Sequence, residues 1–510
     1  VNVPADAPPR PVQWAKVVDH TRCIGCHACS TACKSENEVP LSVHRTYVKY
    51  VETGLFPQAR RAFQVTRCNQ CAEPPCVEAC PTSAMHARAD GIVDFDKSVC
   101  IGCKACMAAC PYDAIFINPE DGSAEKCNLC AHRVEVGLQP ACVVVCPTEA
   151  ILVGDLNDPS SRVAAIVGRE PVTVRRPEKG TRPKLFYKGA HQATLDPLAA
   201  RRPEGGLFLW SEQGALPHQV TSGHPRAHNS SAAALLSYDI PHRAPWDWRV
   251  SLYTWTKGLA GGVYLVAAAL VLLGVVPAAG PLWRWAAPGM AASFLAATGF
   301  LLLADLEHPA RFYLIFTRPQ WRSWLVRGAF AISAYALVLG GHLLAAVRGA
   351  GGVHPALTAA GVPLAALTAL YTAWLFAQAR GRDLWQSALL PPHLLVQAVL
   401  AGAAALALVA PTLAPDAAPP LRWLTAAASG VHLLLVAAEV TLPHGTAHAR
   451  LAAAELTHGA FRAFFVAAVM LGLGGLLAPW FGAAGAAAAL GGLLAWEHAH
   501  VQAAQAVPLA

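Results

Sequence analysis

Residues 91–115 read GIVDFDKSVCIGCKACMAACPYDAI, and the C-x2-C-x2-C-x3-C-P spacing inside that stretch decides how the first third of the chain is built. The stretch holds Cys100, Cys103, Cys106 and Cys110, with Pro111 next. Upstream, Cys23, Cys26, Cys29 and Cys33 repeat the spacing, and Cys68, Cys71, Cys76 and Cys80 form a variant of it that ends in Pro81. Downstream, Cys127, Cys130, Cys142 and Cys146 make a fourth group, again closed by a proline, Pro147. All 16 cysteines of the 510-residue chain fall in these four groups.

The spacing has a geometric meaning. Three thiolates on a tight loop reach three irons of one cubane, while the next cysteine, at the start of a short helix, points away and serves a neighbouring cluster. Four groups of four therefore predict four [4Fe–4S] clusters with every cysteine used. Structural zinc favours two well-separated CxxC pairs, a form that three of the four groups lack. A disulfide scaffold would suit an oxidising compartment but does not call for these spacings. Gly91 to Asp96 alternates like a short strand, which fits the hairpins and one-turn helices of a ferredoxin. Ile24, Val77 and Ile101, lying between cysteines, are expected to pack against the clusters.

The rest of the chain has a different composition. Its length exceeds one compact domain, and the long apolar runs lie mostly after Tyr253. The last lysine is Lys257. Lysine and arginine (39) outnumber aspartate and glutamate (32) only slightly, for a net charge of +7. No basic patch with interleaved aromatics appears, so no nucleic-acid partner is expected. Residues 1–11 carry no apolar signal segment and no twin arginine, which leads to the expectation that the N-terminus is genuine, with an initiator read as Val. Residues 190–248 are rich in Pro, Gly, Ser, His and Arg and read as an extended connector, with His218, His224, His228 and His242 expected to face solvent.

From residue 249 onward, eight apolar stretches are each long enough to cross about 30 Å of hydrocarbon as a helix. Their approximate limits are 253–276, 286–305, 324–347, 357–379, 391–411, 421–440, 461–480 and 482–504. Ionisable residues inside such spans are costly and usually functional. Lys257 lies one turn inside the first; Asp305, Glu307, His308 and Arg311 crowd the end of the second. Arg327 is in the third, His393 and Gln397 begin the fifth, Glu439 is in the sixth and Glu497 late in the eighth. An even number of crossings puts both termini on one side. Eight arginines fall in loops on that side, from Arg311 to Arg462, and three on the other: Arg284, Arg348 and Arg422. The bias predicts a multi-pass protein of the cytoplasmic (inner) membrane whose N-terminal domain faces the cytoplasm.

Two resemblances add to this reading. DHTRCIGCHACSTACKSENEVP (19–40), RCNQCAEPPCVEACPTSAM (67–85), the 91–115 stretch and KCNLCAHRVEVGLQPACVVVCPTEAI (126–151) resemble the four-cluster electron-transfer subunits of the dimethyl sulfoxide and polysulfide reductase families. VGDLNDPSSRVAAI and TRPKLFYKGA extend the likeness to about residue 189. The resemblance implies that Cys23, Cys26, Cys29 and Cys146 hold one cluster, and Cys33, Cys127, Cys130 and Cys142 the next. It likewise assigns Cys80, Cys100, Cys103 and Cys106 to a third, and Cys68, Cys71, Cys76 and Cys110 to a fourth. SLYTWTKGLAGGVYL (251–265), DLEHPARFYLIFTRPQWRSWLVRGAF (305–330), FAQARGRDLWQSALLPPHLLVQA (376–398) and HVQAAQAVPL (500–509) resemble the NrfD-like membrane anchor of polysulfide reductase.

The expected architecture is thus an α+β bis-ferredoxin-like domain with four [4Fe–4S] clusters (1–189), the connector (190–248) and an all-α membrane domain of eight transmembrane helices (249–510). The anchor family binds quinone near its iron–sulfur partner and generally lacks haem. A quinone region (menaquinone or ubiquinone) is accordingly expected at Lys257, Asp305, His308, Arg327 and His393, where proton donors collect on the iron–sulfur side. No haem is expected, His342 and His432 being the mid-span candidates for one. The chain reads as a non-catalytic subunit that relays electrons between the quinone pool of the bilayer and a separate molybdopterin catalytic subunit of the bis-guanine dinucleotide type. The rival reading is a subunit of a quinol-oxidising energy-coupling complex that donates to cytochromes.

Overall fold

The computed structural model describes residues 11–201, 208–209, 234–349 and 355–510. The chain divides into two compact units, Val1–Arg243 with Pro508–Ala510, and Ala244–Val507.

The first unit is built on two four-stranded sheets. In one, the strand Trp14–Asp19 runs parallel to Leu185–Lys188 and antiparallel to Ile151–Asp155, with Val172–Thr173 outside. Because side chains alternate along a strand, Ala15 and Val17 pack on one face against Val163 and Ile166 of the amphipathic helix Arg162–Arg169. Lys16 and Val18 point the other way, and Val18 joins a core containing Cys29, Cys142, Ile151, Leu185 and Tyr187.

The second sheet pairs Thr46–Thr53 with Arg60–Arg67 in register from Thr46↔Arg67 to Thr53↔Arg60. Phe63 and Val65 turn toward the same cysteine-containing core, and the period of two places Arg67 on their face. Leu235–Asp239, within the stretch read as a connector, adds a third strand against Thr46–Thr53 and buries Leu236 and Tyr238.

Between the sheets in sequence, a helix-and-hairpin unit occurs twice. Pro75–Ala79 is followed by the hairpin Met85–Ala87/Val93–Phe95, and Ala105–Ala109 by Ile115–Ile117/Ala124–Lys126. The alternating 91–96 segment thus supplies a strand. Each short helix stops at a cysteine, Cys80 or Cys110, whose backbone is extended; the prolines that follow disfavour the helical region for the residue before them.

The second unit is helical: α1 (Trp248–Leu272), α2 (Ala287–Ala304, entered through a π-helical turn at Leu282–Ala286), α3 (Trp324–Val347), α4 (Pro355–Ala377), α5 (Leu390–Leu413), α6 (Ala418–Thr441), α7 (Ala447–Thr457), α8 (Arg462–Leu476) and α9 (Ala483–Ala506). All eight expected stretches are helical, with ends a few residues from those expected. Six helices among the described residues are long and apolar enough to cross a membrane, and the pair α7 and α8, bent by 70°, makes a seventh if it is one span. The stretch expected as the eighth crossing forms α9, 24 residues long. Its Ala- and Gly-rich first half and its polar end (Glu497, His498, His500, Gln502, Gln505) keep its mean hydropathy below that of the others.

Helix α1 is the hub, packing against α2, α4, α5 and α9. Its backbone comes close to that of α5, because both carry glycine at the crossing. A Cβ added to Gly262 would stand 1.8 Å from the Ala398 carbonyl oxygen, and one on Gly402 would stand 2.1 Å from the Gly262 oxygen. Small residues at such crossings let helix backbones approach in a medium where the hydrophobic effect gives no help. Hydroxyl contacts add to it: Thr256 and Thr298 pair at 2.8 Å between α1 and α2, and Tyr335 donates to the Ala260 carbonyl at 2.9 Å.

Gly262→Leu is expected to force α1 and α5 apart and to destabilise the membrane unit by about 3 kcal/mol or more, the upper range for overpacking. Gly289→Ala, where a Cβ meets nothing within 4 Å, should be neutral. Thermal melting of the two variants in detergent checks this; equal melting temperatures would show that the close approach is unimportant.

Candidate functional site

The loops that carry the cysteines are shaped by left-handed residues at fixed offsets. CIGCHAC (23–29) and CIGCKAC (100–106) each place a glycine and the residue after the second cysteine at positive φ: Gly25 at 70° and His27 at 59°, Gly102 at 68° and Lys104 at 61°. The chain therefore curls before a helix starts at Ala28 or Ala105. Gly25 is required on a second ground, since a Cβ there would lie 2.4 Å from the Phe63 ring. Of the apolar residues between cysteines, Ile101 is buried as expected, but Ile24 is 56% exposed. Even so, Ile24 lines the same cavity as Cys23, Cys26, Cys29 and Cys146, and Val77 packs against the core that contains Cys76 and Cys80.

The curled loops converge from distant parts of the chain. Cys80, Cys100, Cys103 and Cys106 line one cavity, of about 360 Å³ of empty space. Cys23, Cys26, Cys29 and Cys146 line another, of about 320 Å³. Cys33 and Cys130 share a donor, the Asn37 amide, at 3.7 and 3.6 Å, and Cys127 and Cys142 lie near enough to Cys33 to interact with it electrostatically. Cys68 and Cys110 stand in the same relation to Cys71 and Cys76. None of the cysteines is in a disulfide, and thirteen are buried. Among the described residues no three Cys, His, Asp or Glu converge closely enough for a single ion; the sulfurs surround volumes instead, as ligands of a multi-iron cube must.

The electrostatics agree with that donor set. Burial drives the free thiols of Cys29, Cys33 and Cys110 up to about 11, 12 and 12, so a chemistry that keeps them as thiolates needs bound cations. Cys127 is different: burial raises it, yet Lys16 and Arg67 outweigh burial and bring it down to about 7. Lys16 Nζ donates to Cys127 Sγ at 3.3 Å and Arg67 Nη1 to Cys142 Sγ at 3.1 Å. Both side chains are 1% exposed.

His242, expected to face solvent, is buried instead. Its Nδ1 lies 2.5 Å from Asp113 Oδ2 and its Nε2 3.2 Å from Asp239 Oδ1. Burial lowers its affinity for a proton, but the two carboxylates prevail and raise its pKa to about 9. The Pro- and His-rich composition of its surroundings masked a partner, Asp113, that lies 129 residues away. His218, His224 and His228 lie outside the described residues.

In the second unit, ionisable side chains meet in the interior. Thr254, Lys257, Gly258, Ala369, Leu394, Gln397, Ala401, Leu493 and Glu497 are among the residues that line a cavity with about 280 Å³ of empty space. Lys257 Nζ donates to the Ala369 carbonyl and the Thr372 hydroxyl, each at 2.7 Å. The Gln397 amide, oriented to satisfy both partners, donates to Glu497 Oε1 at 2.8 Å and accepts from Trp496 Nε1 at 2.9 Å. One turn away on α5, His393 Nε2 and His432 Nδ1 hydrogen-bond at 2.9 Å, with Trp496 beside both rings.

Of the five residues expected around quinone, Lys257 lines this cavity and His393 lies next to it. Asp305, His308 and Arg327 do not line it. Asp305 is buried at the end of α2, and His308 precedes the turn Pro309–Arg311. The Arg327 side chain is turned outward, donating to the Trp321 carbonyl at 2.7 Å and covering the Trp324 ring. Gln397 and Glu497, both visible in the sequence as polar residues inside spans, form the cavity's polar wall, and His432 and Trp496 stand behind it. Spacing along a single helix cannot reveal that α1, α5 and α9 converge.

A domain of cysteine-lined cavities followed by a bundle of apolar helices defines an iron–sulfur electron-transfer protein fused to a membrane anchor. Residues 59–156 match the 4Fe-4S dicluster domain and residues 238–496 the family described as polysulphide reductase, NrfD. The chain therefore belongs to the NrfD polysulphide reductase family, with an iron–sulfur subunit joined to its N-terminal side. Over 208 residues it is 42% identical to a tetrathionate reductase subunit of Salmonella typhimurium, covering 39% of this chain and 80% of that one. It is 41% identical to a polysulfide reductase polypeptide of Wolinella succinogenes (34% of this chain, 93% of that one). It is 35% identical to the arsenate respiratory reductase iron–sulfur subunit of a Shewanella species (34% and 94%). These relatives are subunits of reductases, and [4Fe–4S] clusters in a multi-pass membrane protein of electron transport follow from the two family matches.

Proposed function

We propose that the chain holds four [4Fe–4S] clusters and relays electrons between a separate molybdopterin catalytic subunit and a quinone bound in the membrane unit. The ligand sets are Cys23/Cys26/Cys29/Cys146, Cys33/Cys127/Cys130/Cys142, Cys80/Cys100/Cys103/Cys106 and Cys68/Cys71/Cys76/Cys110. Two of the sets line cavities of their own, and the other two are supported by their shared neighbours.

The observation that carries the quinone reading is the cavity lined by the buried side chains of Lys257, Gln397 and Glu497 together with apolar residues. Bound clusters supply one-electron carriers, and a bound quinone supplies an acceptor of two electrons and two protons. Lys257 can hold a proton at Nζ and Glu497 one at its carboxyl, the two positions from which carbonyl oxygens of a ring would be protonated. The Gln397 amide fixes the Glu497 carboxyl, and Thr372 with the Ala369 carbonyl fixes the lysine. The apolar residues around them exclude water, which strengthens each of these interactions.

The names of the relatives support a partner that reduces an inorganic sulfur or arsenic oxyanion or a related acceptor. Eight crossings, counting the bent α7–α8 pair as one and α9 as the last, support a cytoplasmic iron–sulfur domain through the arginine bias. Reporter fusions after Gly381 should then give a cytoplasmic signal and fusions after Gly351 a periplasmic one; the reverse pattern would place the domain outside.

Lys257→Met is expected to lower electron exchange with a quinone analogue about 100-fold, the low end for removing a positioned proton donor. In the same purified complex, reduction of the partner's substrate by a soluble dye should stay at the level of the unaltered protein. Equal loss of both activities, with iron content intact, would contradict a quinone role for the cavity.

A further inference from the structure

Burying a lysine and an arginine is costly unless each is paired and hydrogen-bonded. Here both converge on one group of cysteines from different sheets. Lys16 comes from the strand Trp14–Asp19 and Arg67 from Arg60–Arg67. Their donors reach sulfur directly, at Cys127 and Cys142. The Asn37 amide supplies further, neutral donors to Cys33 and Cys130. All four sulfurs of that set therefore receive a side-chain hydrogen bond. At Cys80, Cys100 and Cys146, backbone amides of Met85, Ala124 and Ala150 donate at 3.2–3.4 Å, and the hydroxyl of Thr148 lies 3.9 Å from Cys146 Sγ; these groups are neutral.

We propose that Lys16 and Arg67 set the reduction potential of the iron–sulfur group held by Cys33, Cys127, Cys130 and Cys142, raising it so that this group stores the electron in transit. The inference rests on the ligand set assigned above. Reduction adds one electron from a neighbouring carrier in the relay, makes the group one unit more negative, and breaks no bond and moves no proton. Two fixed positive charges in a low-dielectric interior stabilise that extra negative charge, and donors to the sulfurs do the same. Lys16 is the cleaner probe, because the charge of Arg67 also acts on Cys29.

The test is a potentiometric titration of the purified full-length chain, followed by electron paramagnetic resonance. In Lys16→Met, one of the titrating signals should fall by at least about 59 mV, the one-electron equivalent of a tenfold change in the equilibrium, while the others hold. Lys16→Arg, which keeps the charge, should titrate like the unaltered chain. Asn37→Leu should shift the same signal less and in the same direction. An unchanged midpoint in Lys16→Met at full iron content overturns the proposal, as does an equal fall in Lys16→Arg. If Lys16→Met loses iron, Asn37→Leu decides: a downward shift supports the proposal and none overturns it. The ligand set is tested apart, since Cys130→Ala should abolish the same signal; loss of a different one would refute the assignment whatever Lys16→Met does.

Discussion

The constraint on which the rest of the iron–sulfur unit depends is the crowding of sulfur ligands in a small interior. The loops turn thirteen of the sixteen cysteines into the interior, and thiolates brought together in a dry interior repel one another and lose their hydration. Bound iron offsets most of that charge; the protein supplies the remainder. Lys16, Arg67 and Lys126 are all buried, and each is a charged neighbour of cysteines: Lys16 and Arg67 of Cys127, Lys126 of Cys71 and Cys76. Arg45 and Glu125 form an almost fully buried ion pair at 3.0 Å beside them, and Lys97 also contacts Glu125. Strands Trp14–Asp19 and Arg60–Arg67 of the two sheets hold Lys16 and Arg67 in place and the hairpin strand Ala124–Lys126 holds Lys126, so these strands are as much a charge scaffold as a packing scaffold.

The membrane unit meets the same difficulty with fewer charges. Close glycine contacts bring α1 and α5 together, and that approach brings Lys257, on α1, near Gln397, on α5. Helix α9 adds Glu497 and Trp496. Each polar group is given partners by another helix, as a medium without water requires. A bundle this tightly joined at its centre leaves a small, defined space beside the lysine in place of a wide channel. Helices α3 and α6 lie further from the hub, with many apolar side chains turned outward (Leu337, Val347, Trp423 and Leu434 among them), as suits surfaces that meet lipid.

Much of this was legible in the sequence because ligand geometry and bilayer thickness act locally. Cluster loops need cysteines at fixed offsets, and the CIGC repeats with their left-handed residues follow from that need. Apolar runs of about 20 residues report helix ends within a few positions. What depends on convergence was hidden. Lys16 reads as one polar residue in a strand and Arg67 as one before a cysteine; only the alternation of the WAKVVD strand hinted that Lys16 faces inward. His242 looked like a loop residue because its partner Asp113 is remote. Asp305, His308 and Arg327 stood out as ionisable groups near helix ends, yet none of them lines the cavity that Glu497 and Gln397 line, and the Arg327 side chain is bound to the Trp321 carbonyl instead. Hydropathy also under-reports α9, whose polar end places Glu497 in the wall of the cavity.

The central claim is that the four cysteine groups hold four cubane clusters. The most direct measurement is iron and acid-labile sulfide in the purified, fully loaded chain. Four complete ligand sets predict about 16 irons and about 16 sulfides per chain. A value near 8 irons, or zinc in stoichiometric amount, would contradict the account.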